Sequence, residues 1–246
     1  MGNKPQGRQV LIACAMIRKE LEYLMERTPF SGEVVWMDKG LHEKPGNLLH
    51  ALREEIGRRD APDTDILLAY GLCGNGVIGL KAEHARLVVP AFDDCLRILL
   101  SEEPGKPILC NPRALLYTDG WMDREDGLLT KREKYIARYG EKKGRKILHL
   151  MLKNYEEIMF LDTGLYDVAA CMEEIRPAAA ELSLRITQCG AHLRAYEKFL
   201  AGEWDGEFIV TAPGETITEA HFDTRARCYF PDREPEAAKQ PEEPSA

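Results

Sequence analysis

The sequence predicts an α/β protein: a mostly parallel sheet flanked by helices, in Rossmann-like layers. Two observations predict it. Continuous apolar runs recur, VLIACAMI at 10–17, TDILLAYG at 64–71 and ARLVVPAF at 85–92, and such runs suit strands buried on both faces. Between them lie segments of helical spacing, and this alternation implies parallel strands joined by right-handed crossovers.

Taken in order, the first strand is followed by RKELEYLMERT, in which Leu21, Leu24 and Met25 share a helix face. GEVVWMD at 32–38 reads as a second strand. KPGNLLHALREEIGRR reads as a second helix, with Leu48, Leu49, Leu52 and Ile56 at helical intervals. TDILLAYG and ARLVVPAF are the third and fourth strands, and DDCLRILLS begins another helix. From about 124 to 157 the chain is helical and charged. EIMFLDTG and LSLRITQC then read as strands, each followed by a helix, and EFIVTAPGETIT as a last strand. The expected organisation is a disordered N-terminus (1–8), an α/β domain (9–230) and a disordered Pro- and Glu-rich tail (231–246). The domain can divide into lobes 9–120 and 158–230 around a helical insert, 121–157. Whether the later strands extend the first sheet or build a second is left open.

The chain has 246 residues and a net charge of −8, from 33 basic and 41 acidic residues. An acidic balance argues against nucleic acid as a partner, because phosphate backbones require a basic surface. The basic stretch TKREKYIARYGEKKGRK at 130–146 reads as a solvated helix face. No apolar run approaches the ~20 residues that span a bilayer, and MGNKPQGRQ lacks the apolar core of a signal peptide. A cytoplasmic protein without a membrane partner is expected. The seven cysteines include no CxxC pair. Mostly reduced thiols are therefore expected, rather than a disulfide framework or a zinc ribbon.

In a parallel sheet, ligands bind beyond the C-terminal ends of the strands. Cys14, His42, Cys73 and Cys95 map to the ends of the first four strands. Thiolate and imidazole suit zinc, and thiolates also suit iron–sulfur clusters. Cys73 stands in a glycine loop, GLCGNGVIGL, where Gly71, Gly74 and Gly76 let backbone approach a cofactor. The loop matches neither GxGxxG nor a P-loop, although its N–H groups could still meet an anion. A third reading is thiol catalysis by Cys73 and Cys95 facing one pocket, with Asp93 and Asp94 raising the Cys95 pKa. One of those aspartates is also expected to cap the helix that follows. The remaining cysteines, 110, 171, 189 and 228, read as packing residues, as do Trp121 and Trp204. Glu20 and Glu22 read as a solvated helix face. Asp162 and Asp205 read as turn residues. No catalytic residue is assigned.

The segments IAC, LHEKPGNL, AYGLCGNGVIGL, FDDCLRILLS, YTDGW, FLDTGLYD and GEWDGEFIVTAPG, in this order and spacing, resemble an uncharacterised bacterial and archaeal family known as a domain of unknown function. The resemblance runs from Val10 to Gly214. Its members are often encoded near corrinoid-dependent methyltransferases, which implies a role in one-carbon metabolism. It implies that Cys14, His42, Cys73 and Cys95 are a metal set, holding zinc, with an iron–sulfur cluster or a corrinoid as alternatives. The implied activity is methyl transfer on a small molecule, with a corrinoid protein or methyltransferase as partner. A metal-free, racemase-like cysteine enzyme and a non-catalytic carrier or chaperone are the competing functions. The LLYTDGW segment is shorter here than the tyrosine-rich version of that family, which leaves Tyr117 outside the set.

Overall fold

The structure, a computed structural model, describes residues 5, 7–43, 45–104, 106, 108–122, 127–222 and 228–229. It is an α/β protein with a mostly parallel five-stranded sheet and a parallel three-stranded sheet, flanked by six helices. The expectations for the chain ends, 1–8 and 231–246, lie outside the described residues except for Pro5, Gly7 and Arg8. The last of these already opens a strand.

The first sheet has the order β2-β1-β3-β4-β9, built from β1 (Arg8–Cys14), β2 (Glu33–Met37), β3 (Thr64–Ala69), β4 (Arg86–Pro90) and β9 (Phe208–Val210). β1 to β4 are parallel, and β9 returns antiparallel along β4. From β1 the chain steps one way to β2 and then back across β1 to β3. Right-handed crossovers therefore place α1 (Arg18–Met25) and α2 (Pro45–Gly57) on opposite faces. α6 (Arg194–Ala201) packs beside α1. Covered on both sides, β3 is buried at every residue and β1 from Val10 onward, which is why both read as unbroken apolar runs. The direction of winding reverses between β1 and β3, and the crevice at such a reversal is where open α/β sheets bind ligands.

The second sheet has the order β6-β7-β8, all parallel, from β6 (Ala114–Tyr117), β7 (Glu157–Asp162) and β8 (Arg185–Gly190). Both crossovers step the same way. Their helices, the hairpin α3 (Leu128–Tyr139) and α4 (Glu141–Leu152) and then α5 (Val168–Glu181), lie on one face, with α3 against α5. The strand alternation shows what covers the other face. Leu115, Tyr117, Ile158, Phe160 and Ile186 join the core under these helices. Ala114, Leu116, Met159, Leu161 and Cys189 join the core of the first sheet. The second sheet thus leans one whole face on the first unit. A short parallel pair, β5 (Ile108–Leu109) with β10 (Cys228–Tyr229), completes the strands.

Two expectations change. DDCLRILLS forms a 3₁₀ turn at Arg97–Leu100 and not a helix. The Asp94 carboxylate accepts from the N–H groups of Leu96 and Arg97, which fixes a tight turn, and Pro104 follows too soon for a helix to propagate. Among the cysteines, 14, 73, 95, 171 and 189 are free, but Cys110, directly after β5, is disulfide-bonded. The side chain of Cys228 lies outside the described residues.

Candidate thiol site

The loops after β3 and β4 are zipped together by their backbones. Leu72 N–H donates to the Phe92 carbonyl at 2.8 Å and Cys73 N–H to the Asp93 carbonyl at 2.9 Å. Gly71 is needed for this approach, because a Cβ there would stand 2.6 Å from Phe92 O and 2.7 Å from Asp94 N. Beyond the zipper, Cys73, Gly74 and Asn75 turn left-handed in succession, at φ 47°, 62° and 70°. Non-glycine residues at such angles cost roughly 1–3 kcal/mol each and persist only where the surroundings over-determine them. The Gly76 and Ile78 N–H groups close the turn onto the carbonyls of Cys73 and Asn75. The loop's N–H groups at 72, 73, 76 and 78 thus serve the fold.

This places three thiols together. Cys14 ends β1, its sulfur accepting from Met16 N–H at 3.5 Å at the head of a 3₁₀ turn, Ala15–Ile17. The Cys95 thiol lies beside Cys14 and Cys73 on one cavity wall, close enough for both to act on its ionisation. With the Cys14 and Cys73 sulfurs beside it, Cys95 is held well above the ordinary thiol value, and burial adds to the shift. The neighbouring Cys95 thiol lowers Cys14, aided by Met16 N–H and Lys39 against burial and Asp38. The rise at Cys95 therefore comes first from its thiol neighbours, where the sequence pointed to Asp93 and Asp94. Asp94 is instead the capping residue, and it also pairs with Arg97.

The thiols open onto a cavity of about 680 Å³ between the two sheets, within the usual size of a small-molecule site. Leu72, Leu96, Leu115, Leu116, Met151 and Trp121 form its apolar walls, and Asp93, Asp94 and Arg97 its polar edge. Trp121, read as a packing anchor, stacks on Tyr117 at 5.6 Å and also faces this cavity. Trp204 is an anchor: it is buried, with its indole N–H donated to Phe199 O at 2.9 Å. Two tyrosines that sequence reasoning passed over back the thiols. Tyr196 donates its hydroxyl to the Cys95 carbonyl at 2.9 Å, and Tyr70 lines the cavity. Tyr70 could have been noticed, as a phenol closing an otherwise apolar strand run just before the glycine loop.

Thiolate donors at three strand ends have the chemistry a soft metal requires. Among the described residues, no group of three or more His, Cys, Asp or Glu is spaced as a formed metal cage. A metal here would need the Cys14, Cys73 and Cys95 sulfurs to close around one point. His42 stands in the 3₁₀ segment Lys39–Glu43 after β2, and its side chain lies outside the described residues. Cys171 stands on α5 and Cys189 on β8, and burial raises the pKa of both.

A different set of groups gathers at the C-terminal ends of the second sheet. Glu20, read as solvated, is fully buried and accepts from Thr163 Oγ1 at 3.3 Å. Burial raises its pKa, and Asp119 adds to the shift. Asp162 Oδ1 accepts from Gly164 N–H, the turn role expected for it.

Residues 36–200 match a family model described as a protein of unknown function, DUF1638. The chain belongs to the DUF1638 family. The matched span holds His42, Cys73 and Cys95, while Cys14 precedes it and GEWDGEFIVTAPG follows it. The DUF1638 segment nevertheless depends on β1, since that strand lies between β2 and β3. No curated protein and no solved structure matches the chain. No helix among the described residues is long and apolar enough to cross a membrane.

Proposed function

We propose that Cys14, Cys73 and Cys95 form a thiolate site for a soft metal ion, zinc above all, and that the cavity beside them receives a small-molecule substrate. The observation that carries this reading is the meeting of three thiols, from three strand ends, at the switch point of the first sheet. Bound there, zinc would act as a Lewis acid toward a ligand in its remaining position. The chain's part is to hold the donors. The β3–β4 zipper fixes Cys73 and Cys95, Met16 N–H orients the Cys14 sulfur, and the apolar walls exclude water. His42, the fourth member of the expected set, is left out of this reading, because its side chain lies outside the described residues. A role in corrinoid-linked methyl metabolism, with a corrinoid protein as partner, is the narrower form of the proposal. What supports it is the three-thiol donor set, whose chemistry suits a soft metal ion.

Metal analysis and an absorbance spectrum of protein purified without oxygen test the reading. Zinc that is lost in Cys73→Ser is the expected result, and visible bands would turn the assignment to an iron–sulfur cluster or a corrinoid. Absence of zinc, iron and cobalt would overturn it. A second reading is favoured by Cys14 and Cys95 standing together on the wall of one cavity. Cys14, lowered, and Cys95, raised, form a base and an acid for metal-free proton transfer. It requires the metal-free protein to exchange substrate protons with solvent deuterium.

A further inference from the structure

Tyr70 is 2% exposed and lines the thiol cavity. Its hydroxyl has no hydrogen-bond partner among the described residues. The phenol lies near enough to Cys14, Cys73 and Cys95 for each to act on its ionisation. Burying a hydroxyl without a partner is costly, and interiors almost always avoid it. An orphan donor on the wall of a cavity therefore marks where a ligand's acceptor atom sits. The acceptor lies beside three sulfurs, where a soft, anionic atom is favoured once a metal is bound. The walls around it are apolar, which suits a hydrophobic body and disfavours water.

Resting on the metal reading above, we propose that the open position beside the three thiols takes the thiolate of a small molecule with an apolar body, and that the Tyr70 hydroxyl donates a hydrogen bond to that sulfur. The incoming thiol coordinates through sulfur and releases its proton to solvent. No side chain is oxidised. His42 is then not needed to close the coordination shell.

The test uses cobalt(II)-loaded full-length protein, with benzyl mercaptan as the probe and benzyl alcohol as its oxygen counterpart. The cobalt ligand-field bands report binding. The expected result is saturable binding of the mercaptan and none of the alcohol at the same concentration. Tyr70→Phe should bind the mercaptan about tenfold more weakly, the scale of a hydrogen bond to a charged acceptor. Its cobalt content should be unchanged, and it should melt no lower than the parent, because the lost hydroxyl bonds nothing. Equal affinity in Tyr70→Phe overturns the assignment of Tyr70. Equal binding of the alcohol overturns the sulfur ligand. A protein that takes up no cobalt overturns the metal reading and this inference with it.

Discussion

The C-terminal edges of the two sheets are built on the same strand-end geometry and carry different chemistry. On the first, three thiols meet on loops pinned by backbone hydrogen bonds, above strands covered on both faces. On the second, carboxylates gather. Asp119 pairs with Lys19, Asp162 caps its own turn, and Glu20 enters from the other unit. The supporting β8 strand is half exposed along its length. The difference teaches what each edge requires. Side chains brought together from three separate loops need their backbone closely fixed, and the thiols sit on the most deeply buried scaffold. The second sheet supplies one wall of a cavity, and burial of one face suffices for that.

The comparison can be pressed where each sheet buries a carboxylate near the start of a central strand. Asp65 on β3 pairs with Arg86 at 2.7 Å, with no exposed side-chain surface. Glu157 on β7 accepts from Asn111 at 2.6 Å and Thr187 at 3.1 Å. Asp65→Ala should cost about 3–5 kcal/mol by urea unfolding, since it removes one partner of a buried ion pair. Glu157→Gln keeps a hydrogen-bonding side chain and should cost about 1 kcal/mol. Similar losses would show that the second sheet is as constrained as the first.

The next effect sets Gly71 against Gly190. A Cβ at 71 meets backbone under 3 Å away, whereas at Gly190, which ends β8, it meets nothing within 4 Å. Gly71→Ala should cost about 1–3 kcal/mol through forced backbone shifts and separate Cys73 from Cys95. Gly190→Ala should stay within about 0.5 kcal/mol of the parent. Cobalt uptake measured beside stability distinguishes loss of the site from loss of the fold.

Smaller effects come from titration. Glu20, with Lys19, Asp119 and Tyr166 about it, has a folded pKa raised above its ordinary 4.5. The unfolded chain therefore releases this proton first, and the group weakens the fold as pH rises from about 4.5 to the folded value. Glu20→Gln should remove that part of the decline in Tm across the window, and an unchanged slope would place the decline elsewhere. Finally, the rate of Cys14 alkylation by iodoacetamide should reach half its maximum at lower pH than that of Cys189, as the opposite shifts of the two thiols require. Peptide mapping of labelled protein reads this directly.

Much of this was legible in the sequence because burial on both faces leaves an unbroken apolar run. β1, β3, β4 and β7 were visible for that reason, and the cysteines at the ends of β1 and β3 followed from strand polarity. The ALLY strand was not visible, being four residues placed directly after a turn at Pro112 and Arg113. DDCLRILLS carries a helical apolar spacing that says nothing of Asp94 taking two N–H groups for a turn. The Tyr70 hydroxyl was beyond reach for another reason. Whether a buried donor is satisfied depends on every neighbour at once, and one sequence holds no such record. The same holds for Glu20, whose polar helical context gave no sign of Thr163 from the second sheet.

The β4–β9 pairing fixes an order of assembly. Val88 is hydrogen-bonded along the sheet to the strand that holds Val210, and the whole second sheet is encoded between them. During synthesis β1, β2, β3 and β4 emerge first, so the three cysteines can gather before their roof exists. The free edge of β4 must then wait for the last strand, closing a long loop whose entropy cost grows only slowly with its length. A nascent chain arrested before residue 112 would present an open strand edge and an uncovered thiol crevice, a form in which an ion could enter from bulk water without crossing the finished cavity.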